Sequence, residues 1–73
     1  MNTIKPGQIY QHYKGNKYKI IALAKHSETL DDMVIYETLY DNPLSKVWAR
    51  PRHMFQEMIE IDGRKTLRFT LIG

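Results

Sequence analysis

Three stretches of this 73-residue chain bring together side chains able to do chemistry. His26-Ser27-Glu28-Thr29 sets an imidazole beside a hydroxyl and a carboxylate. Trp48 and Arg50 stand two residues apart, on one face of any strand that holds them. The segment from Tyr10 to Lys19 carries three tyrosines, His12 and the lysines Lys14, Lys17 and Lys19.

A histidine beside a serine and an acid suggests nucleophilic catalysis. Adjacent residues of an extended chain point to opposite faces, however, so His26 and Ser27 would not meet as base and nucleophile. The Gly-x-Ser-x-Gly elbow that exposes a nucleophile is also missing from the sequence. A loop in which the Ser27 and Thr29 hydroxyls satisfy backbone groups accounts for the same residues. His26, Ser27 and Glu28 then either line a ligand pocket or pair with Arg50.

Tyrosine, tryptophan and arginine dominate recognition surfaces. A groove ringed by Trp48, Arg50, Tyr10 and Tyr36 is one reading; core filling is the other, since a Trp contributes a large buried area to a small domain. Tyr13, Tyr18 and Tyr36 are expected in the core, while Trp48 and Tyr10 suit either role. Lys14, Lys17, Lys19 and His12, with tyrosines nearby, would suit a surface that tracks a nucleic-acid backbone and stacks its bases. A solvated hairpin tip is the simpler explanation of the same residues.

His12, His26 and His53 lie far apart and show no helical metal spacing, so no metal site is expected. With no cysteine there is no disulfide or thiolate ligand, which is compatible with a reducing cytosol. Gly-rich phosphate loops, paired carboxylates and dinucleotide fingerprints are missing, so no cofactor is expected. No apolar run approaches the roughly 20 residues that cross a bilayer, and Met1–Pro6 lacks a secretory h-region. We expect a soluble cytoplasmic protein that does not engage membranes. The net charge of +3 is uneven: residues 1–26 hold five lysines and no acid, and the rest hold eight acids against six bases. A basic N-terminal part suggests an anionic partner, or lysines that keep strand edges solvated.

The elements that position these groups are short strands. A single domain over residues 1–73 is expected, with a core burying roughly 60% of the unfolded surface. Pro6-Gly7 marks a turn. Gly15-Asn16 reads as a two-residue hairpin loop, pairing Lys14 with Lys17, Tyr13 with Tyr18 and Tyr10 with Ile21. That register puts Ile9, Gln11, Tyr13, Tyr18, Ile20 and Ala22 on the core face, and leaves Lys14 and Lys17 unfavourably opposed. A long, bent second strand runs to about His26, a third spans Met33–Tyr40 and a fourth Lys46–Arg50. Pro51 opens a brief helical turn at residues 51–55, with Met54, Phe55 and Met58 apolar on one side. Asp62-Gly63 is the strongest hairpin signal, pairing Ile61 with Arg64, Glu60 with Lys65, Ile59 with Thr66, Met58 with Leu67 and Glu57 with Arg68. Five to six antiparallel strands with one helical turn indicate an all-β barrel or roll.

Tyr10-Gln11-His12-Tyr13-Lys14-Gly15, Ala24-Lys25-His26-Ser27-Glu28-Thr29 and Trp48-Ala49-Arg50-Pro51-Arg52-His53-Met54-Phe55, in this order and spacing, resemble the bacterial domain of unknown function 1653. The resemblance runs from about Gly7 to Phe69. It implies a small SH3-like barrel or roll and brings no established activity, substrate or catalytic residue. The loop Asp41-Asn42-Pro43-Leu44-Ser45 departs from the Gly-rich form associated with this place, implying a variable loop.

The leading expectation is a non-enzymatic binding module. Tyr10, His12, Trp48 and Arg50, with the His26–Thr29 loop, would hold a peptide, a protein or a small anionic ligand. Nucleic-acid binding through Lys14, Lys17 and Lys19 is the alternative. A second alternative is a small enzyme or enzyme subunit using His26, Glu28 and Arg50.

Overall fold

A computed structural model describes residues 3–73. Seven strands and one helical turn follow one another: β1 Ile9–His12, β2 Lys17–Lys25, β3 Asp32–Thr38, β4 Val47–Pro51, α1 Arg52–Phe55, β5 Met58–Ile61, β6 Arg64–Leu67 and β7 Phe69–Leu71. The main antiparallel sheet has the order β4-β3-β2-β1-β7, and β5 and β6 form a separate hairpin. The protein is therefore all-β, with one or two more strands than expected and the helical turn where Pro51 placed it. An open five-stranded sheet with an added hairpin is compatible with the SH3-like roll that the resemblance implied.

The core is aromatic. Ile4, Tyr10, Ile20, Val34, Tyr36, Phe55 and Phe69 are buried, and Tyr18, Trp48 and Leu71 pack against them. Phe55 and Phe69 stack with centroids 4.2 Å apart, and Tyr10 meets Phe55 edge-on at 5.2 Å. From the helical turn only Phe55 enters this core; Met54 and Met58 are exposed, against the expectation for that turn.

Turn chemistry sets both hairpin registers. The β5–β6 pairing matches the predicted register at each of its four pairs. Asp62 and Gly63 both take positive φ, 52° and 80°, as a type I′ turn requires. Just below the ladder, Arg68 Nε donates to Glu57 Oε1 at 2.8 Å.

The first hairpin differs from its predicted register. The His12 amide donates to the Asn16 carbonyl and the Gly15 amide to the His12 carbonyl, which closes a three-residue loop of Tyr13, Lys14 and Gly15. Gly15, at φ +108°, takes the left-handed place that follows such a turn. Tyr10 now pairs with Tyr18, and Gln11 with Lys17. The slip is an odd number of residues, so it turns β1 over relative to β2. Tyr10 is consequently buried, whereas Tyr13 is 40% exposed. Lys14 and Lys17 no longer oppose each other.

Strand β2 is long and irregular, as expected. Its register with β3 shifts between Ile20 and Ala22, where Ile21 stands out to solvent. Among the described residues, no helix is long and apolar enough to cross a membrane.

Candidate functional site

Strands β3 and β4 place alternate side chains on the core side of the sheet: Val34, Tyr36 and Thr38 from one, Trp48 and Arg50 from the other. Their register sets Tyr36 beside Trp48 and Val34 beside Arg50. Tyr18 joins from β2, where it faces Thr38. Tyr40 and Asn42 come from the chain leaving β3. Together Tyr18, Tyr36, Tyr40, Asn42, Trp48 and Arg50 line a cleft of about 190 Å³.

Hydrogen bonds hold the walls. Trp48 Nε1 donates to the Ser45 carbonyl at 3.0 Å, which orients the indole. The Tyr18 and Tyr40 hydroxyls lie 3.0 Å apart, and Asn42 Nδ2 reaches the Tyr40 hydroxyl at 3.4 Å. Burial, and then the bond to Tyr40, push the Tyr18 phenol up to about 12. Its proton therefore stays in place at neutral pH, so Tyr18 presents a hydroxyl and not a phenolate.

Arg50 supplies the charge. Its Nε donates to the Tyr36 hydroxyl at 3.4 Å, and its guanidinium carbon lies 5.3 Å from the centroid of the Phe69 ring. No Asp or Glu lies within ion-pair distance of it among the described residues. His12 meets the same ring edge-on at 5.0 Å. The Lys14 amide donates to His12 Nδ1 at 3.2 Å. Burial first, then the charges of Arg68, Arg50 and Lys14, pull the His12 imidazole below its ordinary 6.5. At neutral pH, His12 is thus a neutral neighbour of Arg50.

The groove expected from the sequence exists with three of its four members. Trp48, Arg50 and Tyr36 line it, but Tyr10 does not. The reversed face of β1 sends Tyr10 into the core, where its hydroxyl donates to Gln8 Oε1 at 3.2 Å. It borders a different crevice, of about 490 Å³, with Phe55, Gln56, Met58, Leu67, Phe69 and Leu71. Tyr40 and Asn42 were not foreseen as lining residues. The alternation Tyr36, Thr38, Tyr40 carried the signal for Tyr40; the place of Asn42 depends on the turn beyond β3.

The His26–Thr29 loop stands apart from this cleft. His26 Nδ1 accepts from the amides of Glu28 at 3.2 Å and Thr29 at 3.3 Å, and the Thr29 hydroxyl accepts from the Asp31 amide. The imidazole is thus committed to its own loop, with Ser27 and Glu28 exposed. No described contact joins His26 or Glu28 to Arg50, whose partners are Tyr36 and Phe69 instead. The expected Glu28–Arg50 pair does not form.

The lysines of the first hairpin are also more dispersed than expected. Lys14 sits in the loop, with its ammonium 5.8 Å from the Tyr13 ring centroid. Lys17 and Lys19 point away from the core, and Lys19 faces Glu37 across the ladder. Glu37 in turn lies 4.0 Å from Lys46, so a carboxylate sits amid the basic side chains.

Fold and site together define a small all-β domain with a tyrosine- and tryptophan-walled cleft around one arginine. Residues 8–71 match the family described as Protein of unknown function (DUF1653), and the chain belongs to that family. It is similar to a family member from Bordetella bronchiseptica whose crystal structure is solved. The two are 30% identical, with a TM-score of 0.86 over 96% of this chain and 88% of the other. No curated protein matches this chain.

Proposed function

We propose that this domain is a non-enzymatic binding module whose cleft of Tyr18, Tyr36, Tyr40, Asn42, Trp48 and Arg50 holds an anionic group of a peptide, a protein or a small molecule. The observation that carries this reading is the state of Arg50. Arg50 is half-buried and its guanidinium is held by Tyr36 and Phe69, yet it has no described carboxylate partner. A charge held in place without a counter-ion is built to receive one. The surrounding tyrosine, tryptophan and asparagine side chains line the cleft with more polar than apolar surface, at low entropy cost.

Binding is favoured over catalysis because the candidate base is otherwise engaged: His26 Nδ1 accepts two backbone amides of its own loop. A chain without cysteine suits work in the reducing cytoplasm.

Amide chemical-shift mapping of the full chain against peptides and small anions tests this reading. Shifts should centre on the Trp48 indole and on Tyr36, Tyr40 and Arg50. Shifts confined to Lys14, Lys17 and Lys19, with affinity falling steeply as salt rises, would contradict this reading and move the binding surface to the basic first hairpin.

A further inference from the structure

We infer that the group received by the cleft is a carboxylate on a short apolar stem, its two oxygens taking the terminal N–H fork of Arg50 while the stem lies among the rings of Trp48, Tyr36 and Tyr40. The inference rests on reading the cleft as a binding site and names the chemistry it selects.

Orientation is the first ground. Arg50 Nε is already donating to the Tyr36 hydroxyl, and Phe69 lies beneath the guanidinium. The terminal nitrogens have no described acceptor. A guanidinium fixed in this way offers a planar pair of donors, which a carboxylate meets with two parallel bonds. Lysine at the same position would keep the charge and lose that geometry.

Charge count is the second. Arg50 is the one cation lining the cleft, and no acid lines it. His12, the nearest titratable group to share the Phe69 ring, is held neutral at pH 7. Arg68 is occupied by Glu57, and Lys46 lies near Glu37. One positive charge balances one carboxylate. A phosphate monoester carries about −1.5 to −2 at neutral pH and would leave negative charge uncompensated among aromatic rings.

Size is the third. The cleft measures about 190 Å³. It admits a carboxylate with a few carbons, whereas clefts that engulf a whole ligand run to roughly 300–1,000 Å³. The remainder of the ligand must lie outside. A second recess of about 410 Å³ adjoins the cleft and shares Tyr40 and Asn42 with it; Glu37, Asp41 and Lys46 are among its lining residues, so it suits neutral or basic flanking groups and not further acids. An acidic residue within a polypeptide fits this division better than a free short-chain acid.

The test is an NMR titration of the isotopically labelled full chain with four probes: a terminally blocked tripeptide with central glutamate, its glutamine counterpart, propionate and inorganic phosphate. The glutamate peptide should shift the Trp48 indole and the Arg50 Nε–H signals. The glutamine peptide should bind at least ten-fold more weakly, and so should the glutamate peptide with Arg50→Lys, whose unchanged amide dispersion elsewhere would show an intact fold. Propionate binding as tightly as the glutamate peptide supports the carboxylate and assigns it to a free acid. Phosphate binding more tightly than either carboxylate, or equal binding of the two peptides, overturns the carboxylate while leaving an occupied cleft. If none of the four moves the cleft signals, the carboxylate and the binding reading both fall.

Discussion

Arg50 of β4 lies over the ring of Phe69 of β7, with its guanidinium carbon 5.3 Å from the ring centroid. These two strands are the opposite ends of the five-stranded sheet. The hydrogen-bond ladder is open between them, so side chains and not backbone close the roll. Phe55 adds to the closure by stacking on Phe69 from the helical turn that follows β4. The same contact that joins the sheet's ends therefore fixes the cation of the cleft.

If Arg50 links the two edges, its loss should be felt in stability as well as in binding. A cation–π contact of this kind contributes about 0.5–1 kcal/mol. In a domain of this size 1 kcal/mol corresponds to a melting shift of about 4–8 °C. Arg50→Gln should lower the melting temperature by a few degrees, and Phe69→Leu by more, because Phe69 is buried in the core. Thermal unfolding followed by circular dichroism would show this; an unchanged melting temperature in Arg50→Gln would mean that the contact does not hold the edges together.

His12 should give the fold an acid-sensitive limb. Its imidazole is pulled below 6.5 by burial and by Arg68, Arg50 and Lys14. The unfolded chain then binds the proton more readily than the native one, so stability rises with pH across this window. The contribution is complete above about pH 6.5 and is lost as pH falls through the lowered native value. Asp32, whose carboxyl is held below its ordinary 3.8 by its hydrogen bond to Lys25 and then by that charge, acts at lower pH. His12→Asn keeps an acceptor near the Lys14 amide without titrating. Denaturant unfolding at pH 7.5 and pH 5 should show a smaller difference for this variant than for the parent; an equal difference would remove His12 as the source.

Leu30 sits at φ 63° with 69% of its surface exposed. A branched apolar side chain in the left-handed region costs about 1–2 kcal/mol, and asparagine tolerates that conformation better. Leu30→Asn should stabilise the protein by roughly 0.5–1 kcal/mol. The His26–Thr29 loop and the distant cleft should be undisturbed in its amide spectrum. A lower melting temperature would show that Leu30 makes an apolar contact worth more than the strain.

Legibility followed turn chemistry. Asp62-Gly63 permits one tight solution with two positive φ angles, so the register of β5 and β6, down to Glu57 opposite Arg68, could be read from the chain. Gly15-Asn16 permits more than one. Gly15 can serve within a two-residue loop or after a three-residue one, and the second choice reverses every side chain of β1 relative to β2. That ambiguity exchanged the roles of Tyr10 and Tyr13. Trp48, Arg50 and Tyr36 were readable because strand alternation alone puts them on one side of adjacent strands. The Phe69 contact was not, since it joins sheet ends that no local pattern relates. The His26–Thr29 loop was readable as side chains satisfying backbone groups, and His26 Nδ1 does accept two amides of its own loop.

The most direct measurement is the affinity of the glutamate tripeptide for the parent protein and for Arg50→Lys, read at constant salt from the Trp48 indole signal in both and from the Arg50 Nε–H signal in the parent. Capture of a carboxylate by a fixed guanidinium predicts shifts centred on the cleft and at least a ten-fold loss of affinity with lysine at position 50. Equal affinity for the two proteins, or shifts centred on the Lys14–Lys19 hairpin, would contradict it.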